Sequence, residues 1–358
     1  MSLINFFVKA APKAQTFGRV VGIDIGSAAI KVVELEDRDG VITLTTYGEL
    51  QTAPYEEGKV IGQATQLSPA LERQAMVDIL RESAVKAKKA VLAIPLSSSF
   101  VTTINMTAAP EEDITSRVRV EAKKYIPVPI ADVTLDWAEV GVQTEEGTER
   151  DVLLAAIQND ALARFMSLMQ TVELPAPPTE IECFSAIRSG YTGDTPHMAV
   201  IDIGATVSKL YIVKDGLLQR MHRIPTAGAK VTERIMAEKQ CAFSDAELLK
   251  RTSTPDNPDA ALVRKVTMVT YARVVKEFRQ VMDEYEAHAG DKLARVVLTG
   301  GGALVPGTDA FLSEQLGVPV VMVRPFDKVA YPAFMEDALT TVGPLFATAL
   351  GAALRYFE

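Results

Sequence analysis

Apolar residues recur along this chain in two rhythms, and each change of rhythm marks an element boundary. Short β-branched runs broken by Gly, Asp or Pro predict strands at 19–23, 30–36 and 41–48, the last two joined by a turn at 37–40. A Pro-, Gly- and Gln-rich loop follows, and Ser68-Pro69 then offers an N-cap with proline in the first helical turn. Leu71, Ala75, Ile79 and Leu80 give that helix one apolar face, and Lys86, Lys88 and Lys89 close it where the helix dipole favours cations. Strands are predicted again at 90–95 and 100–106. Pro110-Glu111-Glu112-Asp113 then opens a helix that runs to Tyr125 and is stopped by Pro127 and Pro129. Two further strands, 133–137 and 151–157, flank a polar hairpin.

The second part of the chain repeats this alternation. A helix at 160–171 carries Leu162, Phe165, Met166 and Met169 at helical spacing, which reads as core packing. Residues 173–178 form a stiff, proline-rich connector, 181–187 lead into the loop 189–195, and the apolar stretch 197–213 holds two strands. Asp215-Gly216 turns the chain into a third strand at 218–224, and residues 225–230 enter a helix. After a surface loop at 255–258, a long helix at 260–288 places Val263, Val266, Val269, Val274, Phe278 and Met282 on one face. A strand from Arg295, a helix at 307–316, an edge strand at 318–323 and a helix at 346–356 complete the reading.

Two of the strand pairs share one layout. In Val20-Val21-Gly22-Ile23-Asp24-Ile25-Gly26-Ser27-Ala28-Ala29-Ile30-Lys31, Asp24 ends the first strand and Lys31 lies near the start of the second. Gly26 lets backbone N–H groups approach a bound group, Ser27 adds a hydroxyl, and Lys31 can return toward the turn. The result is an anion cradle beside a carboxylate, suited to a phosphate chain carrying Mg²⁺. Read alone, such a turn is more often a plain hairpin. About half a chain later, however, Val200-Ile201-Asp202-Ile203-Gly204-Ala205-Thr206 repeats it, which implies two similar halves facing each other. A third piece, Val296-Val297-Leu298-Thr299-Gly300-Gly301-Gly302-Ala303, runs a strand into three glycines, a loop that lets backbone lie flat against a nucleotide.

Composition narrows the picture. At 358 residues the chain has room for two or three globular units, and 48% hydrophobic with 23% charged residues is ordinary for buried cores. A net charge of −9 argues against a general nucleic-acid binder. Cys183 and Cys241 fit no metal-ligand spacing and read as structural thiols in a reducing compartment; His197, His222 and His288 are scattered. No run reaches the roughly 18 consecutive apolar residues that span a bilayer. The segment 1–18 has only a short apolar run without a cleavage site, so it reads as a frayed or docked terminus and the protein as cytoplasmic.

Two strand–Asp-x-Gly–strand hairpins followed by strand–Thr-Gly-Gly-Gly resemble the actin-like ATPase superfamily (actin, FtsA, sugar kinases, DnaK-type chaperones) over residues 20–354. The resemblance implies an α/β fold of two similar halves around a nucleotide cleft. It places the first-half core at 19–88 with 159–190, an inserted subdomain at 89–158, the second-half core at 191–230 and 294–358, and a helical subdomain at 231–293. An insert at that point resembles FtsA and the PilM family, the cytoplasmic actin-like proteins of type IV pilus assembly. Glu121-Ala122-Lys123-Lys124-Tyr125-Ile126-Pro127-Val128-Pro129 is similar to a segment typical of PilM proteins. Taken by itself it is a helix end that becomes extended, with Tyr125 and Ile126 lining core or groove. Around Val172 the chain departs from the Ala-Gly-Leu common in that family. Gly351-Ala352-Ala353-Leu354-Arg355 resembles the superfamily's closing motif, in which small residues let two helices cross between the halves.

What the resemblance implies for the site is an ATP–Mg²⁺ clamp. Asp24 and Asp202 would hold hydrated Mg²⁺ from opposite halves. Gly26, Ser27, Ala28, Gly204, Ala205 and Thr206 would meet phosphate oxygens, with Lys31 neutralising the β/γ end. Gly228, Glu247, Lys250, Gly301, Gly302 and Ala303 would shape the nucleoside pocket. An amphipathic helix with an exposed Glu and Lys accounts for Glu247 and Lys250 equally well. No residue can be assigned to position a hydrolytic water; Gln158 only superficially resembles actin's glutamine segment, so hydrolysis is expected to be slow or partner-dependent. The PilM resemblance further implies a partner, the cytoplasmic N-terminal tail of PilN, docked as an extended peptide beside the insert, and a place peripheral to the inner membrane. An FtsA-like division scaffold, a small-molecule kinase and an adaptor without nucleotide remain as alternatives. The first predicts a C-terminal membrane helix, which does not follow Glu358, and the second a substrate motif that the sequence lacks.

Overall fold

The computed structural model describes residues 18–109, 112–140, 149–174, 179–254 and 256–358. The segment 1–17, the start of the second predicted helix at Pro110, the polar hairpin at 141–148, the connector at 175–178 and Pro255 lie outside the described residues.

The first half opens with an antiparallel meander, β1 (Arg19–Ile25), β2 (Ala29–Arg38) and β3 (Val41–Gln51). Asp39 and Gly40 both take positive φ in the β2–β3 turn, the geometry that matches strand twist. Helix α1 (Pro69–Glu82) starts under the Ser68 hydroxyl, which accepts the Leu71 N–H, and returns the chain to β4 (Ala90–Ile94), parallel to β1. A three-stranded sheet of β5 (Ser99–Thr107), β6 (Val133–Glu139) and β7 (Glu149–Gln158) is then covered by α2 (Thr115–Ala122), with Ile104, Val118, Ile126 and Leu154 in its small core. Helix α3 (Asn159–Thr171), the short β8 (Glu180–Ile181) and α4 (Glu182–Gly190) follow.

The second half repeats the first. Strands β9 (His197–Ile203), β10 (Ser208–Lys214) and β11 (Leu217–Ile224) form the meander. Helices α5 (Gly228–Lys239), α6 (Phe243–Thr252) and α7 (Ala260–Ala289) lead to β12 (Arg295–Thr299), α8 (Thr308–Leu316), β13 (Val320–Met322) and α9 (Glu336–Leu354). The two sheets have matching orders, β3-β2-β1-β4-β8 and β11-β10-β9-β12-β13. The internal repeat seen as two Asp-x-Gly turns is therefore a repeat of whole sheets.

Several expectations are corrected. The strand at 90–94 pairs with β1, so it belongs to the first sheet, and the inserted sheet begins at Ser99. Helix α1 ends at Glu82, before Lys86, Lys88 and Lys89; Ala84 adopts φ +51°, and the buried Glu34 carboxylate takes the Lys86 and Ala87 N–H groups at 2.6 Å each. Helix α2 begins only at Thr115, because Asp113 turns back to accept the Thr115 N–H instead of opening the helix. Met166 and Val269 are exposed, on the outer faces of α3 and α7. Residues 182–190 are a helix buried along its whole length. The last helix starts ten residues earlier than expected, with Pro344 inside it.

That last helix also changes sides. Helix α9 packs Leu339, Phe346, Ala349, Leu350 and Ala353 against Val20, Val33, Leu35 and Val91 of the first sheet. Helix α4 touches β9 and β10 of the second sheet and crosses α9 directly. By composition the stretch Ala333–Leu354 is long and apolar enough to cross a membrane, but most of its apolar part is buried inside the protein. It is a core helix here.

Candidate functional site

The two Asp-x-Gly turns are built alike. The Gly26 N–H donates to the Ala29 carbonyl at 3.0 Å, and the Gly204 N–H to the Val207 carbonyl at 3.1 Å. Strand register sets Asp24 directly opposite Lys31 and Asp202 directly opposite Lys209. Each turn thus carries one carboxylate and one ammonium at the same place. The Lys31 ammonium stands 3.8 Å from Asp24. The Lys209 ammonium donates to Asp202 at 3.2 Å and to Glu182, the first residue of α4, at 2.6 Å. The tips of the turns meet across the halves, with the Ser27 and Thr206 hydroxyls 3.0 Å apart.

Electrostatics at this end are strained in one direction. Burial pushes the Asp24 carboxyl above its ordinary value, with Glu182 and Asp202 adding to the rise and Lys31 and Lys209 only partly opposing it. Burial works against the Lys209 charge, but Glu182 and Asp202 outweigh it and hold the ammonium well above its usual value.

The glycine loop closes the back of the cleft. Gly300 takes φ +89°, and any Cβ there would run into the Asp202 carboxylate. A Cβ on Gly302 would lie 2.5 Å from Ile203 Cγ2, and the Tyr271 hydroxyl, rising from α7, donates to the Gly302 carbonyl at 2.9 Å. The start of α5 is tied to the second turn by Gly228 N–H to Gly204 carbonyl (3.1 Å) and Ala229 N–H to Ala205 carbonyl (2.7 Å), which aims the positive helix end at the turn.

At the far end Glu247 is buried and accepts from Lys250 (2.6 Å), Thr232 (2.5 Å) and Arg251 (2.7 Å). Burial alone would raise its carboxyl; these donors hold it below the ordinary value. Burial lowers Lys250 from its usual value, with Glu247 opposing. The alternative of an exposed Glu–Lys face on α6 is thereby corrected for both residues. The mouth is bridged from the first half: Gln51 Oε1 accepts the Gly62 N–H at 3.2 Å and Arg251 Nη2 at 3.1 Å.

These pieces enclose a cleft of ≈ 760 Å³ lined from both halves. It brings together Asp24, Gly26, Ser27, Ala28, Lys31, Asp202, Gly204, Ala205, Thr206, Gly228, Glu247, Lys250, Gly301 and Gly302. Ala303, in the short helical turn Gly301–Leu304, is buried and does not line the cleft. Gln158 ends β7 on the inserted sheet and is likewise not among the lining residues. Sequence reasoning missed Lys209, Glu182, Arg251 and Gln51. Lys209 carried a signal, the Asp-to-Lys spacing of the first turn repeated in the second. The others are assembled by tertiary contact only.

Among the described residues no group of three or more His, Cys, Asp or Glu side chains could hold a metal ion by itself. Asp24 and Asp202 instead suit a hydrated Mg²⁺ that arrives on phosphate oxygens, an ion that needs only one or two carboxylates from a protein.

Comparison with known proteins gives a consistent result. The family model described as Type IV pilus assembly protein PilM matches residues 22–357. The structure is similar to that of a PilM-PilN type IV pilus biogenesis complex, at 25% sequence identity and TM-score 0.78, covering 95% of this chain and 98% of that one. It is also similar to the ethanolamine utilization protein EutJ from Carboxydothermus hydrogenoformans (16% identity, TM-score 0.57, covering 96% of this chain and 91% of that one). MreB 5 of Spiroplasma citri bound to AMPPNP is a third (15% identity, TM-score 0.52, covering 96% and 97%). At that identity the last two show the shared fold alone, the actin-like α/β fold expected from the motifs.

Proposed function

The chain belongs to the type IV pilus assembly protein PilM family, as an actin-like component of pilus assembly, and from that premise we propose that its cleft binds ATP with Mg²⁺ and that nucleotide state is coupled to docking of the PilN cytoplasmic tail. The observation that carries the nucleotide part is the pair of matched Asp–Lys turns facing each other, with Ser27 and Thr206 hydroxyls 3.0 Å apart.

In this reading the backbone N–H groups and hydroxyls of both turns bond the phosphate oxygens, a charge-assisted arrangement. Lys31 neutralises the terminal phosphates. Asp24 and Asp202 accept from the waters of a Mg²⁺ ion, which supplies charge neutralisation along the triphosphate. Gly228, Gly301 and Gly302 leave flat backbone for the nucleoside, and Glu247 and Lys250 frame it. Because the phosphate contacts and the Mg²⁺ contacts each draw on both halves, ligand binding biases their closure.

The PilN part rests on the family and on the complex in which a 25% identical relative was solved. We place the peptide beside the inserted subdomain, where Tyr125 and Val120 are exposed while Ile126 belongs to the small core. This puts the protein at the cytoplasmic face of the inner membrane, held through its partner. Calorimetric titration of ATP with Mg²⁺ tests both parts, on wild type and Asp24→Ala, with and without a PilN-tail peptide. ATP binding lost in Asp24→Ala and altered by the peptide supports the reading. Absence of ATP binding in wild type sinks the nucleotide part, and binding indifferent to the peptide sinks the coupling.

A further inference from the structure

The phosphate end of the cleft already contains two fixed cations. Lys31 faces Asp24, and Lys209 occupies the equivalent register position on the other half, facing Asp202. Lys209 is the more deeply engaged of the two. It spans Glu182 at 2.6 Å and Asp202 at 3.2 Å, with its side chain 14% exposed, and it lines the cleft. An ammonium has three N–H donors; Glu182 and Asp202 take two, and the third remains for a ligand oxygen in the cleft. The three carboxylates Asp24, Asp202 and Glu182 therefore do not form a bare anionic pocket. Their negative charge is partly cancelled before any ligand arrives, and Asp202, one of the two residues suited to a hydrated divalent ion, is shared with an internal cation.

We propose that Lys209 is a built-in counter-cation for the bound triphosphate, so that this cleft holds nucleotide with a weak requirement for a divalent ion, and that Lys209 sets the size of that requirement. The inference rests on the nucleotide-binding reading above and adds to it a residue that determines cation dependence. A lysine bridging a carboxylate pair and a phosphate oxygen supplies one charge-assisted hydrogen bond and one positive charge at the place where Mg²⁺ otherwise supplies them. Its two carboxylate partners fix the ammonium in position, so little side-chain freedom is lost on binding.

The test is the dissociation constant of ATP measured by calorimetry in Mg²⁺ and in excess EDTA, for wild type, Lys209→Gln and Lys209→Arg, with thermal melts to show that each variant is folded. For wild type the two constants should differ by no more than about tenfold. In Lys209→Gln the ratio of the EDTA constant to the Mg²⁺ constant should rise by about tenfold or more, the effect of losing one charge-assisted hydrogen bond. Lys209→Arg, which keeps the charge, should return the ratio toward wild type. Wild-type binding that vanishes in EDTA overturns the inference while leaving nucleotide binding intact. So does a folded Lys209→Gln with an unchanged ratio. Failure of wild type to bind ATP in either buffer overturns the nucleotide reading itself and this inference with it.

Discussion

At the scale of single residues, Asp24 combines function with a stability penalty. Burial raises its carboxyl above the value it has in the unfolded chain. The folded state therefore holds that proton more tightly, and the associated stabilisation is fully present below the unfolded value. It is lost as pH rises through the folded value, so at neutral pH the ionised carboxylate is a net cost. Asp24→Asn is expected to raise the melting temperature at neutral pH. The gain should shrink as pH falls through the raised folded value toward the ordinary aspartate value, about 3.9, and level off below it, in melts recorded across pH. An unchanged or lowered neutral-pH melting temperature would show that Lys31 stabilises the carboxylate more than burial penalises it. Such a cost at a ligand-binding group is the usual exchange of stability for function.

At the scale of elements, the crossing of α4 and α9 joins the halves. A Cβ on Gly351 would run into the Ser185 carbonyl, and one on Gly22 into the α9 backbone at Ala349, so small residues are required on both sides of α9. The crossing is pinned by buried Glu180, which accepts from Arg188 at 2.5 Å and 3.0 Å, from Arg355 at 2.7 Å and from Ser185 at 2.5 Å. Arg188 also donates to the Gly351 carbonyl at 3.0 Å. Burial alone would raise the Glu180 carboxyl, but the two guanidinium groups hold it below its ordinary value, so its contribution is present at neutral pH and lost as pH falls through the folded value. Glu180→Gln removes the one carboxylate that both buried guanidinium groups share, leaving Arg188 its pair with the half-exposed Glu358 at 2.8 Å. We expect a loss of about 3–5 kcal/mol, the typical effect of breaking a buried ion pair, measured by denaturant unfolding. A loss within ~1 kcal/mol, the range of exposed pairs, would mean that this network does not hold the crossing together.

At the scale of the whole molecule, the halves touch over the cleft at both ends. Ser27 meets Thr206 at the phosphate end, and the segment around Gly62 reaches Arg251 through Gln51 at the mouth. Gly62 has φ +88°, and a Cβ there would fall 2.5 Å from the Glu247 side chain. Gly62→Ala is expected to lift this strap and speed release of a fluorescent ATP analogue several-fold in stopped-flow displacement, with a lowered melting temperature from the strained backbone. Release at the wild-type rate would show that the strap does not limit exit from the cleft.

How much of this was legible beforehand follows from which interactions are local. The Asp-x-Gly turns, the glycine loop and nearly all strand positions are set by side-chain period, β-branching and turn chemistry within a few residues, and the repeat of the two turns already implied two facing halves. Glu247 and Lys250 were identified through resemblance, but their burial depends on Thr232 and Arg251 closing around them. Helix boundaries shifted where a side chain found a better partner than the helix offered, as Asp113 did with Thr115. The placement of 90–94 in the first sheet and of α9 beneath it came from strand pairing and face complementarity, which have no local signature. By itself, then, the sequence determined the two repeated turns and the glycine loop that line the centre of the cleft, because these depend on short-range geometry, and through the resemblance those motifs carry it pointed to the fold class. Only the tertiary structure decided that Lys209 bridges Glu182 and Asp202 and that α9 packs on the first sheet and crosses α4, because those contacts join residues whose proximity depends on how the sheets pair and pack.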